Sequence, residues 1–199
     1  MKKILFVAVN SSWSQSNLAF YYLREMLKGL TYHTQMLVFT TKEPILQCVE
    51  EIHRHKADVL CFSAYIWNRV YLTSMLKVLR QLLPEAVFVV GGPESAAFEG
   101  LQDCLVIHGP GEAAFKALAA SGFTRPVPDL LPLPLARIPF PYRPEDRQEL
   151  EDHLVYYECY RGCPYGCVYC LSANDRRMNL VLTWPVRKIA CVCGLNWMH

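Results

Sequence analysis

The sequence has 199 residues, of which 52% are hydrophobic and 19% are charged, with a formal net charge of +2. This balance is typical of a folded globular protein and excludes a disordered chain. Lys and Arg are scattered, which argues against nucleic-acid binding, and no apolar run is long enough to span a bilayer. We expect a soluble, cytoplasmic protein with no nucleic-acid or membrane partner and with room for one full domain and part of another.

Strand patterns and helix patterns alternate through the first 123 residues. Near-continuous apolar strands are predicted at 3–10, 34–40, 58–65, 86–92 and 104–109. Amphipathic helices are predicted at 16–30, 43–55, 71–83 and 111–121, and the fourth crossover is short. This alternation predicts an α/β fold, a doubly wound five-stranded parallel sheet of the flavodoxin-like Rossmann type with helices on both faces.

The loops that follow the strands are the predicted ligand side of this domain, because ligands of open parallel sheets bind at the carboxyl ends of the strands. These loops are 10–17, 63–68, 91–94 and 108–112. Trp13 and Trp67 lie in two of them, where they could cover a flat ligand or pack into the core.

A proline-rich stretch ends the first domain. Residues 124–144 hold seven of the 13 prolines, which prevents a regular helix or central strand and predicts an extended linker over 124–150 packed along a surface. A second unit is predicted over 151–199, where residues 153–159 (HLVYYEC) have a strand pattern.

The nine cysteines fall into two settings. Cys48, Cys61 and Cys104 stand singly in apolar stretches and are predicted to be small buried hydrophobic residues. The other six lie between positions 159 and 193, and such clustering without export features favours metal binding over disulfides.

The pattern C-x3-C-x2-C is formed by Cys163, Cys167 and Cys170. Three thiolates can ligate three irons of a 4Fe-4S cluster and leave the fourth iron open. The alternatives are a structural zinc site with Cys159 as fourth ligand, or chance spacing in a cysteine-rich tail.

This motif, with Tyr169 before its last cysteine and a strand pattern ahead of it, resembles that of the radical S-adenosylmethionine (radical SAM) enzymes. The resemblance implies that Cys163, Cys167 and Cys170 are the cluster's metal ligands and that Tyr169 lies near the adenine of S-adenosylmethionine. It also implies reductive cleavage of S-adenosylmethionine to a 5'-deoxyadenosyl radical, with a reductant such as flavodoxin or ferredoxin as partner.

The first domain resembles the cobalamin-binding domain found in one branch of those enzymes. Ser63 matches the serine after the third strand, and Gly91 with Gly92 matches the glycine pair after the fourth. The turn formed by Gly109, Gly111 and Glu112 leads into a helix N-terminus suited to an anion. The resemblance implies that these residues bind cobalamin. The family's Asp-x-His-x-x-Gly motif is absent, since loop 10–17 (NSSWSQSN) has neither Asp nor His and therefore supplies no axial histidine.

The resemblance stops at about Asp175. Only 29 residues follow Cys170, whereas a complete barrel takes about 200. We expect a truncated or frameshifted chain that carries the start of a radical SAM domain and does not catalyse alone. The competing hypotheses are a non-catalytic cobalamin-binding module and a small zinc-stabilised interaction protein.

Overall fold

Five parallel strands form the centre of the protein, for which a computed structural model describes residues 1–158, 160–163, 165, 167–170 and 182–183. The strands are β1 (Lys2–Asn10), β2 (Tyr32–Thr40), β3 (Val59–Ser63), β4 (Val87–Gly91) and β5 (Leu105–Val106). Their spatial order is β2-β1-β3-β4-β5, and every neighbouring pair is parallel. The predicted doubly wound sheet is therefore confirmed, with the flavodoxin-like strand order.

Helices cover both faces of this sheet. They are α1 (Leu18–Met26), α2 (Ile45–Arg54), α3 (Arg69–Leu82) and α4 (Glu112–Ala120). Helices α2 and α3 pack together on one face, and α1 and α4 pack together on the other. The fourth crossover is only a 3-10 turn at Ser95–Phe98, as its short sequence predicts.

The core consists of two apolar layers separated by the sheet. In β1, Leu5 and Val7 belong to the α2–α3 layer, whereas Ile4 and Phe6 belong to the α1–α4 layer. Burial on both faces explains why β1 is a continuous apolar run, and each fully buried side chain of this size contributes roughly 1.5 to 3 kcal/mol. Cys48, Cys61 and Cys104 are buried in these layers, which confirms that prediction.

The proline-rich linker packs against α1. Leu135 and Ile138 are buried against Tyr22 and Met26. The segment contains 3-10 turns at Leu135–Arg137 and Pro144–Asp146 and a short helix α5 (Arg147–Leu150). The Arg24 guanidinium of α1 donates to Asp146 Oδ2 over 2.6 Å, so a charged contact adds to the apolar one.

The strand predicted over 153–159 is wrong for residues 155–158, which have no regular secondary structure. Leu154 forms one isolated bridge with Gln15, while Leu154, Val155 and Tyr156 are exposed, so the apolar pattern here does not reflect burial in a sheet. A short antiparallel pair follows, β6 (Tyr160–Arg161) with β7 (Leu182–Thr183). Cys159, Cys191 and Cys193 lie outside the described residues. Nowhere in the described part of the chain is a helix long and apolar enough to cross a membrane.

Candidate functional site

A cavity of about 410 Å³ lies at the carboxyl ends of β3, β4 and β5. Phe20 of α1 and Phe115 of α4 form part of its apolar wall. Ser63, Gly91 and the turn before α4 form its edge at the strand ends. The structure thus brings three of the four predicted ligand-side loops around one cavity.

The two glycines after β4 have different roles. A Cβ built on Gly91 comes no closer than 3.9 Å to any neighbour, so a longer side chain there would extend into the cavity. Gly92 has a φ of +99°, and a Cβ there would lie 2.6 Å from the carbonyl oxygen of Ala64. Gly91 therefore keeps the cavity open, whereas Gly92 allows the β3 and β4 loops to approach each other.

Ser63 lies at the boundary between the cavity and α1. The Asn17 side-chain amide donates to Ser63 Oγ over 2.7 Å, and both residues are buried. Within the described ranges, Asn17 Oδ1 is a buried acceptor without a hydrogen-bond partner. An unsatisfied buried acceptor is costly. Asn17 borders a second, smaller pocket beside Met36 and His153 and meets the cavity only through its hydrogen bond to Ser63.

Asn68 fixes the loop between β3 and α3, a role that the sequence pattern did not reveal. Its fully buried amide donates to the carbonyl oxygens of Val9 (2.8 Å) and Ser63 (3.0 Å) and accepts from the backbone N–H of Tyr65. Trp67, 48% exposed, stacks on the Tyr65 ring with a centroid separation of 4.5 Å. The loop therefore presents an aromatic surface at the carboxyl edge of the sheet.

The first loop is organised by Gln15. Its Oε1 accepts from the backbone N–H of Ser11 (3.1 Å) and from the Ser11 hydroxyl (2.9 Å), while Asn10 Nδ2 donates to the Gln15 carbonyl oxygen (2.7 Å). Trp13 is 61% exposed, and its ring makes an edge contact of 5.7 Å with the His153 ring. An imidazole from another segment thus lies beside a loop that has none of its own.

The turn before α4 contains the three residues predicted to form an anion site. Gly109 adopts a φ of +63°, Gly111 precedes the helix, and Glu112 is the first residue of α4. A Cβ on Gly111 would lie 3.2 Å from the Ile107 side chain, so the small residue lets the turn pack closely on β5. Glu112 is 6% exposed and lines the cavity.

The cation that binds Glu112 is Arg161, which the sequence analysis missed. Arg161 Nη1 and Nη2 donate to the two Glu112 oxygens over 3.0 and 2.7 Å, and Nε and Nη2 donate to Glu158 over 2.9 and 2.6 Å. Burial lowers the pKa of the guanidinium, but the hydrogen bonds to Glu158 and Glu112 outweigh burial and raise the pKa, so Arg161 is charged. The available signal was an arginine directly ahead of the Gly-Cys pair of the cysteine motif.

The three motif cysteines follow Arg161 without forming a ligand set. Cys163 and Cys170 are half-buried, Cys167 is exposed, and the Cys170 N–H donates to the Cys167 carbonyl oxygen over 3.1 Å. Among the residues that the structure describes, no group of three His, Cys, Asp or Glu could hold a metal ion. Tyr169 is exposed. The cluster therefore stays a prediction from the sequence.

An open parallel sheet of this strand order, with an apolar cavity at its carboxyl edge, defines a cofactor-binding α/β domain. Residues 4–119 match the model of the B12 binding domain. The chain belongs to this family.

Known relatives are larger than this chain. The cobalamin-dependent radical SAM methyltransferase TokK from Streptomyces tokunonensis is 27% identical over 57% of this chain and 22% of its own. The structure of OxsB, a cobalamin-dependent S-adenosylmethionine radical enzyme with aqua-cobalamin and S-adenosylmethionine bound, has a TM-score of 0.75 at 13% identity, covering 95% of this chain and 30% of that one. The radical S-adenosylmethionine methyltransferase TsrM from Kitasatospora setae, with cobalamin and a [4Fe-4S] cluster bound, has a TM-score of 0.69 at 16% identity, covering 96% and 45%. The chain thus spans less than half the length of each.

Proposed function

We propose that this chain binds cobalamin at the carboxyl edge of the sheet, with the nucleotide tail in the cavity beside Ser63 and Gly91. The cavity carries the proposal, because it combines an apolar wall with a glycine that leaves room for a ligand. The Ser63 hydroxyl, which lines the cavity and accepts a hydrogen bond from the Asn17 amide, adds a polar group of the kind that orients a ligand.

The corrin ring would lie over the exposed edge outside this cavity. The loops after β1 and β3 expose three large apolar side chains there, the two aromatic ones Trp13 and Trp67 and the aliphatic Ile66. Two aromatic rings that are fixed by Gln15 and Asn68 through their loops suit a flat, largely apolar ring. When bound, cobalamin supplies a cobalt centre that can carry a transferable methyl group.

No axial histidine would come from the first loop, since loop 10–17 contains none. The chain's role is then to bind the tail, to position the ring and to shield one face of it. Electron paramagnetic resonance of bound cob(II)alamin tests this point. We expect no nitrogen hyperfine splitting, and splitting that disappears in a His153→Ala variant would assign the ligand to His153 instead.

Equilibrium dialysis of the full chain against methylcobalamin in red light tests binding itself. We expect stoichiometric retention by the wild-type chain and no retention after unfolding in urea. Free passage of methylcobalamin in the presence of folded protein would contradict the proposal.

The second candidate function is that of a piece of a radical SAM enzyme. The pattern of Cys163, Cys167 and Cys170 favours it, since three thiolates suit a 4Fe-4S cluster with one open iron. In this proposal, such a cluster would supply the electron that cleaves S-adenosylmethionine to a 5'-deoxyadenosyl radical, with Tyr169 near the adenine and a flavodoxin or ferredoxin as reductant. Residues from 151 onward would begin the catalytic domain. Activity would need further strands and helices to enclose S-adenosylmethionine and the substrate.

Anaerobic reconstitution followed by iron and sulfide analysis tests the cluster. About four of each per chain are expected, and a variant with all three motif cysteines changed to Ala should bind none. Cys104→Ala is the matched control, because this thiol is buried away from the motif. Stoichiometric zinc without iron would favour the zinc-stabilised alternative.

A further inference from the structure

The guanidinium of Arg161 occupies an unusual position in the chain. It lies two residues before Cys163, yet its partner Glu112 is 49 residues away, at the start of the helix that borders the cavity. Arg161 is 7% exposed and Glu112 6% exposed, so the contact is an internal one. The Arg161 side chain thereby attaches the backbone just before Cys163 to the first domain.

The same three groups form the polar end of the cavity. Glu112, Glu158 and Arg161 all line it, alongside the apolar residues of α1 and α4. Four hydrogen bonds from one guanidinium to two carboxylates fix the positions of all three side chains. Any ligand that fills the cavity therefore contacts the groups that hold Arg161 in place.

We propose that Arg161 is a positioning residue that couples the filling of the cavity to the order of the backbone at 160–163. This inference rests on the proposed cobalamin binding. A ligand that displaces water from the cavity strengthens the ion pair, because charges attract more strongly when water is excluded. Release of Arg161 from its two carboxylates then costs more, and the backbone before Cys163 opens less often.

Hydrogen–deuterium exchange of the full, metal-free chain tests the coupling. Methylcobalamin should slow exchange of the amides at 160–163 in the wild-type chain. In Arg161→Met, those amides should exchange at least about tenfold faster than in the wild type without ligand, since hydrogen bonds to charged groups are lost. In Arg161→Met, methylcobalamin should no longer slow exchange of these amides, even though equilibrium dialysis is expected to show that the variant still binds it. Amides of β1 should remain far better protected than those at 160–163 in every variant, which reports that the domain is folded.

Two further variants separate positioning from general stability. Arg161→Lys keeps the charge and should restore part of the ligand-dependent slowing, which a purely structural role would not predict. Glu112→Gln removes the carboxylate charge that binds Arg161. It replaces Arg161→Met in the experiment if that variant does not fold. Arg54→Met, in an exposed ion pair, is the matched control and should behave as wild type.

The outcomes distinguish the two proposals. If bound methylcobalamin leaves exchange at 160–163 unchanged in the wild type, or slows it equally in Arg161→Met, the coupling is wrong while cobalamin binding stands. If the wild-type chain retains no methylcobalamin, the proposed function fails and the coupling fails with it. The comparison without ligand still decides whether Arg161 anchors the backbone at 160–163.

Discussion

Arg161 Nη1 and Nη2 donate to both carboxylate oxygens of Glu112, over 3.0 and 2.7 Å. One residue precedes the cysteine loop, and the other begins the helix that borders the cavity. A bidentate pair of this kind fixes orientation as well as distance. The two parts of the chain that the sequence analysis treated as separate therefore share one buried contact.

Replacing Arg161 with Met should lower the free energy of unfolding by about 3 kcal/mol, because it leaves two carboxylates facing each other without their cation. Both side chains of the Arg161–Glu112 pair are only 8% exposed, so solvent screens the loss poorly. Urea unfolding followed by circular dichroism measures the change. The control Arg54→Met, which breaks an exposed ion pair, should leave the urea midpoint unchanged. Equal midpoints for the wild type and Arg161→Met would show that the buried Arg161–Glu112 pair does not stabilise the fold.

Alanine at Gly92 should destabilise the fold, whereas alanine at Gly91 should not. Gly92→Ala forces a Cβ to within 2.6 Å of the Ala64 carbonyl oxygen at a φ of +99°, and we expect a loss of about 1 to 3 kcal/mol in urea unfolding. Gly91→Ala places its Cβ at an ordinary contact distance of 3.9 Å from the Ile107 carbonyl oxygen, so stability should hold. A stable Gly92→Ala protein would show that the β3 and β4 loops do not pack as described.

Acid should weaken the contact between the linker and α1. Burial raises the pKa of Asp146, but hydrogen bonds from Arg24 and from the Arg143 backbone N–H outweigh it and hold the pKa below its usual range. The carboxylate therefore contributes stability that is complete above the unfolded pKa of about 3.9 and is lost as the pH falls through the folded value. Urea midpoints between pH 7 and pH 3 should fall less steeply in Asp146→Asn than in the wild type. Parallel slopes would exclude Asp146 as a source of the acid sensitivity.

The cysteines of the domain core should resist alkylation in the folded state. Burial raises the pKa of Cys104 to about 11 and raises that of Cys61 further, so at pH 8 only about one Cys104 thiol in a thousand is the reactive thiolate. The exposed Cys167 should react first with N-ethylmaleimide, as site-resolved mass spectrometry can show. Urea should remove the difference, and rapid labelling of Cys61 without urea would mean that the core opens.

The sequence predicted the sheet because its signal is repeated and local. β1 and β3 are buried on both faces, which makes each a continuous apolar run, and the period of α3 is clear in Leu72, Met75, Leu76 and Leu79. The ligand-side loops follow from the parallel direction of the strands, which brings their carboxyl ends to one edge of the sheet. Gly91 was found through the resemblance to the cobalamin-binding domain, which has a glycine pair after its fourth strand.

The missed residues depend on contacts between distant segments. Asn68 and Gln15 look like ordinary loop residues, and only the folded loops show what their amides bind. Arg161 joins a helix 49 residues earlier, a distance over which no periodicity operates. The strand prediction was wrong at 155–158 for a related reason. An apolar pattern shows that residues could form a strand, but it does not show whether a neighbouring strand is there to pair with them.

The central claim is that the cobalamin tail lies in the cavity beside Gly91, and Gly91→Leu tests it most directly. The leucine side chain should occupy the cavity, so equilibrium dialysis should show methylcobalamin retained by the wild type and lost by Gly91→Leu. Ala120→Leu places a leucine side chain at the exposed end of α4 and should bind as wild type. Undiminished retention by a folded Gly91→Leu variant would contradict the claim.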